Sequence, residues 1–174
     1  MFRIVEIPVL GKFDALIPQY LQDEGDVTAV YYNHSYKIIH APIKSVMSTQ
    51  IKNVKENQAY YHEYFSKILR HKHYLPILLD GEIYVSIKIR VPLISPDSAS
   101  GYFNIHSIQN ITRELIILNS DFSFFTNMLF ATANSRVRDG LLVDSILQLG
   151  KEKAAFSQNI GNNILDFYMQ NNKK

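Results

Sequence analysis

The stretch at residues 74–90 limits the possible folds most strongly, because it predicts a β-hairpin. Asp80-Gly81 lies between an apolar run at residues 76–79 and a strictly alternating run that follows it. Asp-Gly supplies the two positive-φ positions of a type I′ turn, whose twist matches that of paired strands. A hairpin of this kind needs a core against its apolar side.

The second strand of the hairpin has two unlike faces, because alternate residues of an extended strand point to opposite sides. One face is apolar and consists of Ile83, Val85, Ile87, Ile89 and Val91. The other consists of Tyr84, Ser86, Lys88 and Arg90. We therefore predict one buried face and one exposed face that presents a tyrosine, a hydroxyl and two cations.

The composition indicates a soluble protein of ordinary globular type. Its 174 residues suit one domain, or one domain with a helical appendage, and a hydrophobic fraction of 47% allows a packed core. The absence of cysteine excludes disulfide scaffolds, thiol nucleophiles and thiolate metal sites. The chain has neither a membrane-length apolar run nor the apolar core of a signal peptide. A cytoplasmic location without a membrane partner is the prediction.

The positive charge is concentrated in the middle of the chain. The net charge is only +2, but residues 37–90 carry nine Lys or Arg against four Asp or Glu. Such asymmetry favours a polyanionic partner. A solvated surface with scattered lysines is the alternative that charge alone leaves open.

The residues before the hairpin predict a small antiparallel meander and then two helices. Strands are expected at residues 2–7, 15–20, 27–32 and 36–40, with turn residues between them. The hydrophobic period becomes helical at residues 43–54, with Ser45 available as a cap, and again at 61–69. In the second helix Phe65 is typical of a core residue.

The residues after the hairpin predict two strands and a helical end. The strands lie at 102–111 and 115–118, and helices are expected from Asp121 to Gly140, over 141–149 and over about 155–170. The fold class is therefore α+β: an antiparallel β-sheet with one or two helices in the middle of the chain and a C-terminal helical region. We place the mainly β domain at 1–120, with helices at 43–71 inserted, and the helical region, packed on that domain, at 121–174.

No motif predicts catalysis or a cofactor. His71 and His73 flank Lys72, but no cysteine or acidic residue lies at ligand spacing and the lysine would repel a metal cation. The chain also has no nucleophile elbow, P-loop or dinucleotide fingerprint. We predict a protein that is not an enzyme, with no catalytic residues, metal or cofactor; a triad formed only by the tertiary structure stays the alternative.

The remaining residues with binding chemistry are cations interleaved with tyrosines. Cations neutralise phosphates and release counterions, and a hairpin with basic residues on its exposed face can read DNA. Arginine also enters the narrow minor groove of A·T-rich DNA. The DNA-binding residues that we predict are Lys52, Lys55, Lys67, Arg70, His71, Lys72, Lys88 and Arg90, joined by Arg136 and Arg138 if the C-terminal helix lies beside the hairpin.

Three passages share an order of features with a known family. They are HKHYLPILL at residues 71–79, the strand, Ser/Pro loop and second strand at 83–105, and FFTNM at 124–128 before a helix with Arg136 and Arg138. In this order, over a little more than half of the chain, the sequence resembles the ComK family, the competence transcription factors of Gram-positive bacteria. The resemblance implies a positive regulator of competence-type genes that binds A·T-rich promoter boxes of double-stranded DNA, largely from the minor groove. It also implies a nucleoid-associated homo-oligomer and degradation through a proteolytic adaptor.

The chain departs from that family pattern at two places. Residues 57–66 contain neither Gly nor Arg where a basic, glycine-containing segment is expected, and Ser100-Gly101-Tyr102 stands where Cys-Gly-Trp is expected. We therefore predict a divergent member. The alternative is a protein-interaction module that has lost DNA binding and modulates a related regulator or its proteolytic adaptor.

Overall fold

The computed structural model describes the backbone of residues 6–171 and the side chains of residues 6–155 and 158. The chain divides into two compact units, Met1–Leu141 and Leu142–Lys174. The first unit contains both β-sheets and the first two helices, and the second consists of helical residues as far as the description extends. The predicted packing of the C-terminal region on the β domain stays a prediction.

Six antiparallel strands form the larger sheet within the described residues. They are β1 (Ala15–Leu21), β2 (Gly25–Tyr32), β3 (Ser35–Ile39), β4 (Ile77–Leu79), β5 (Glu82–Lys88) and β6 (Ser100–Asn104). Their order is β3-β2-β1-β6-β5-β4, so the predicted meander and the predicted hairpin are joined by β6, which pairs with both β1 and β5. The α+β class with an antiparallel sheet is confirmed.

The hairpin has the turn that its sequence predicts. Leu79 pairs with Glu82, which leaves Asp80 and Gly81 as a two-residue loop. Their φ angles are 48° and 79°, as a type I′ turn requires. The predicted strand at 2–7 is different: it falls mostly outside the described residues, and Glu6 and Ile7 are not in a strand.

The prediction that one face of β5 is exposed is wrong. Ile83, Val85 and Ile87 are buried as expected, but Tyr84 on the opposite face is only 1% exposed. Its ring lies 4.4 Å from that of Phe13, and its hydroxyl donates to the Phe13 carbonyl at 3.3 Å. The alternation is correct, but the segment before β1 covers the second face as well.

The first helix, α1 (Ile43–Asn53), forms where the apolar period predicts it. It buries Ile43, Val46 and Met47 on one side, as the spacing of these residues requires. Ser45 does not cap it, because the helix begins two residues earlier, after Pro42, whose position makes no side-chain capping bond.

The second helix, α2 (Gln58–Leu69), has a cap at each end. The Asn57 side chain accepts a hydrogen bond from the Tyr60 amide at 3.1 Å, and Arg70 ends the helix in the left-handed conformation. All residues of α2 are described, and among them Phe65 alone is fully buried. The prediction of Phe65 as a core residue is confirmed. Most of the helix surface faces solvent.

Between β6 and residue 129 the chain differs from the prediction in two ways. A 3₁₀ turn, Ile105–Ser107, interrupts the expected strand, so β7 is Ile108–Ile111; β8 (Leu115–Leu118) follows as predicted. Residues 121–129 are not helical and contain β9 (Ser123–Phe125). A strand forms here because alternate residues share one face of a strand, and Phe122 and Phe124 both pack edge-on against Tyr31 from that face.

One helix replaces the three that were predicted at the C-terminal end. This helix, α3, runs from Phe130 to Asn171 without a break at Gly140 or Gly150. Gly140 serves packing rather than termination, because a Cβ there would lie 2.6 Å from Ile105 Cγ2 and 2.9 Å from Val85 Cγ1. The strands β7, β8 and β9 form a second, three-stranded sheet within the described residues.

Replacing Gly140 by alanine should destabilise the protein. Ile105 and Val85 are β-branched and stiff, so the added methyl overpacks the site at a cost of about 1–3 kcal/mol. Higher helix propensity returns up to about 1 kcal/mol. Urea unfolding measures the net loss. Gly150→Ala is the matched control, because a Cβ there meets nothing within 4 Å and should stabilise the helix. Equal effects of the two substitutions would contradict the close approach at Gly140.

Candidate nucleic-acid interface

Residues 43–76, here called the basic segment, form α1, α2 and the connection to β4. They carry six Lys or Arg and two Glu. Glu56 accepts from the Gly81 amide at 2.8 Å, and Glu63 accepts from Lys67 at 2.6 Å. The hydrogen bond from Lys67 and its charge lower the pKa of Glu63. Each carboxylate thus accepts a hydrogen bond, although the buried Glu56 Oε2 has no partner among the described residues, and six cations against two carboxylates leave the basic segment with excess positive charge.

Four of the predicted DNA-binding residues are exposed cations of the basic segment whose side chains make no hydrogen bond or ion pair with any described residue. They are Lys52, Lys55, Arg70 and Lys72. Lys67 is also exposed, but its ammonium is paired with Glu63. An exposed pair of this kind is weak and exchanges readily with a phosphate partner. Within the basic segment, these five residues are the part of the predicted set that is open to a polyanion.

Arg90 is held inside the protein. Its Nη2 donates to Asp26 Oδ1 at 2.5 Å and its Nε to the Ser98 carbonyl at 2.8 Å. The guanidinium lies over the Tyr20 ring, 4.1 Å from the centroid, and the Arg90 and Asp26 side chains are 14% and 7% exposed. Arg90 is therefore not available on an exposed hairpin face, and its neighbour on that face, Lys88, is half-buried.

Arg136 joins α3 to two other elements of the first unit. Its Nη1 donates to the Ser86 carbonyl at 2.5 Å, and its guanidinium lies 3.8 Å from the centroid of the Tyr74 ring. Burial lowers the pKa of Arg136. Within the first unit, the beginning of α3 thus lies beside the hairpin at Arg136, and the guanidinium of this residue is turned inward. Arg138, two residues later, is exposed.

His71 also has an internal role. Its Nδ1 lies 3.0 Å from the His73 carbonyl oxygen and its Nε2 lies 3.1 Å from Asp139 Oδ2. The ring therefore links the end of α2 to α3 within the first unit. Together with Arg136, it holds the connection between α2 and β4 in place beside the sheet.

The exposed side of α2 carries a cluster of tyrosines. The Tyr60 and Tyr64 rings are stacked, with centroids 5.9 Å apart and planes at 8°, and Tyr61 meets Tyr60 edge-on at 5.2 Å. Tyr60 is 57% exposed and Tyr61 and Tyr64 are partly buried, so the cluster offers some aromatic surface on which bases can stack.

A cleft of about 470 Å³ separates α2 and its connection to β4 from the sheet. We call it the α2–β6 cleft; its lining includes Tyr61, His62, Lys72, Tyr74, Ser86 and Tyr102. Sequence reasoning missed this site, because the residues come from four separate segments with no common motif. Only the alternation of β5 hinted that Ser86 leaves the main core.

Comparison with models of known protein families gives no match, and comparisons with curated proteins and with solved structures give none either. The resemblance to the ComK family therefore stays a prediction. Within the described residues, no group of three or more His, Cys, Asp or Glu is placed to hold a metal ion. None of the described helices has both the length and the apolar character needed to cross a bilayer.

Proposed function

We propose that the protein is a transcriptional regulator that binds A·T-rich double-stranded DNA through the basic segment. The observation that carries the proposal is that the side chains of four cations of the segment are exposed and unpaired among the described residues, while neither Glu56 nor Glu63 pairs with any of them. The four cations are Lys52, Lys55, Arg70 and Lys72. Cations in this state neutralise phosphates and release counterions at little cost, since no internal partner is lost.

The order of features shared with the ComK family supports the regulatory part of the proposal. It also supports action as a homo-oligomer on the nucleoid and control through a proteolytic adaptor. The contacting set differs from the one expected from sequence. Arg90, Arg136 and His71 act as internal supports that position the surface, and Arg138 and Lys67 complete it.

A second candidate function is that of a protein-interaction module. The observation that favours it is the loop after β5, in which Val91, Leu93 and Ile94 are 68%, 77% and 65% exposed. Arg90 and Tyr20 hold the base of this loop, since the Tyr20 hydroxyl accepts from the Leu93 amide at 2.9 Å and donates to Asp97 at 2.7 Å. An apolar tip on an ordered base is typical of protein contacts.

DNA binding should depend on the free cations of the basic segment and not on positive charge in general. The test variant combines Lys52→Ala, Lys55→Ala and Arg70→Asn; asparagine suits the left-handed backbone at Arg70. Fluorescence anisotropy with an A·T-rich duplex and a G·C-rich duplex of equal length, titrated with salt, measures the effect. We expect weaker binding and a salt slope reduced by about 3, one unit for each lost phosphate contact.

The matched control removes the same charge elsewhere, with Lys37→Ala, Arg113→Ala and Lys151→Ala, all of them exposed residues outside the basic segment. Equal losses of DNA affinity in the two triple variants would show that the basic segment is not the DNA-binding surface. Equal affinity for the two duplexes would contradict a preference for A·T. No binding of either duplex by folded protein would overturn the DNA proposal and leave the interaction module.

A further inference from the structure

The α2–β6 cleft combines aromatic rings, cations and hydroxyls. Tyr61, Tyr74 and Tyr102 supply the rings and Lys72 and His62 the nitrogen donors. No Asp or Glu is found among the described residues that line it. Its volume of about 470 Å³ lies within the usual range for small-molecule sites. This chemistry suits a ligand that is both planar and anionic.

The side chain of Tyr74 offers a flat surface on which the ring of a ligand can stack. Tyr74 is one of the few residues other than glycine with a positive φ among those described, at 55°, a conformation that an aromatic residue adopts only at some cost. The Arg136 guanidinium covers one face of the ring at 3.8 Å, while Tyr74 as a whole remains 65% exposed. The exposure therefore belongs to the other face and the edge. That face is free to stack on a ligand.

Polar groups in the cleft are free to read the edge of such a ligand. The hydroxyls of Ser86 and Tyr102 make no hydrogen bond to any described residue, although both residues line the cleft and are partly buried. Burial raises the pKa of Tyr102, so its phenol stays protonated and can donate. Lys72, exposed at the mouth, offers its ammonium to an anion.

We propose that the α2–β6 cleft binds one nucleotide unit, with the base stacked on Tyr74, the base edge at the hydroxyls of Ser86 and Tyr102, and the phosphate at Lys72. The unit is either a free nucleotide or one residue of a single-stranded nucleic acid, since both offer the same ring and phosphate. The cleft shares Lys72 with the exposed cations of the basic segment, but Ser86 and Tyr102 lie outside that segment, and occupation of the cleft does not require duplex binding.

Isothermal titration calorimetry with AMP, adenosine, inorganic phosphate and a single-stranded dA hexamer tests the proposal. Tyr74→Gly removes the ring and suits the positive φ, and we expect it to weaken AMP and adenosine alike by about tenfold. Lys72→Ala should weaken AMP by about tenfold and leave adenosine unchanged, because adenosine has no phosphate. Circular dichroism confirms that each variant is folded.

Two matched controls lie outside the cleft. Asn33→Gly makes the same kind of substitution at another exposed residue with positive φ, and Lys37→Ala removes another exposed lysine. Neither should change AMP binding. Saturable AMP binding with the two expected losses supports a free nucleotide; binding of the hexamer alone, lost in Tyr74→Gly, supports a single strand.

Three results would overturn the proposal. The first is that the folded protein binds neither AMP nor the hexamer saturably. The second is that Tyr74→Gly binds AMP as tightly as the unaltered protein does. The third is that inorganic phosphate binds as tightly as AMP. The duplex experiment is independent, because Tyr74→Gly leaves Lys52, Lys55 and Arg70 in place. Binding of AMP without binding of duplex would support the nucleotide site and contradict the proposed regulator. Binding of duplex without binding of AMP or hexamer would support the regulator and contradict the nucleotide site.

Discussion

Replacing Arg90 by alanine should lower the free energy of unfolding by about 3–5 kcal/mol, because the substitution leaves a buried carboxylate without its cation. Asp26 is 7% exposed, and its Oδ2 already lacks a partner among the described residues. The base of the loop after β5 would also loosen, because Arg90 holds it through its hydrogen bond to Ser98 and its contact with the Tyr20 ring. Urea unfolding, with the slope checked for two-state behaviour, measures the loss.

The double variant Asp26→Ala with Arg90→Ala separates charge burial from packing. We expect it to be more stable than Arg90→Ala alone, because removing both partners leaves no orphaned charge. Lys12→Ala is the matched control: its pair with Glu82 is exposed on the lysine side, so its loss should cost less than about 1 kcal/mol. A loss below about 1 kcal/mol in Arg90→Ala would show that the Asp26 carboxylate is hydrated and contradict the buried pair.

Replacing Phe65 by alanine should cost about 3–5 kcal/mol, as is usual for a fully buried phenylalanine. Phe65 is the one fully buried anchor of α2, where its ring meets those of Tyr61 and Tyr64. We expect α2 to loosen before the sheet does, so that DNA affinity falls together with stability. Thermal or urea unfolding and anisotropy with the A·T-rich duplex measure the two effects.

Phe125→Ala is the matched control for this substitution, since Phe125 is 73% exposed and its replacement should change stability by less than about 0.5 kcal/mol. If Phe65→Ala does not fold, Phe65→Leu provides a milder loss, near 1 kcal/mol, with the same order of effects. Unfolding of Phe65→Ala no easier than that of Phe125→Ala would contradict the anchoring of α2.

The correct sequence predictions concern short stretches. Asp80-Gly81 predicts a turn because both residues tolerate positive φ, and no distant contact has to agree with that choice. Phe65 was expected in the core because its neighbours repeat with helical period. The helix predicted from Asp121 is wrong because the apolar residues around Phe122 and Phe124 fit both a helical period and the period of two of a strand. The packing of both rings against Tyr31 favours the strand.

The error about Tyr84 and Arg90 has a different cause. In the structure Tyr84 lies within β5, whereas Arg90 follows the end of that strand at Lys88; alternation had placed both residues on one face of the predicted strand. Alternation carries no information about what covers a strand face. Phe13, which contacts Tyr84, is 71 residues away from it in sequence, and Asp26, which pairs with Arg90, is 64 residues away. Charge counts likewise do not distinguish a cation that has found an internal partner from one that has not.

The sequence alone determined the hairpin, the three later strands of the meander, both inserted helices and the concentration of positive charge at residues 37–90. These features depend on backbone preference and on the spacing of apolar side chains among near neighbours. The tertiary structure alone determined which cations are free, and it assembled the α2–β6 cleft from separate segments between residues 51 and 102. Arg136, for example, meets Ser86 from 50 residues away. Pairing and burial of charge depend on contacts between segments that have no common local pattern, so they are settled only when the chain packs.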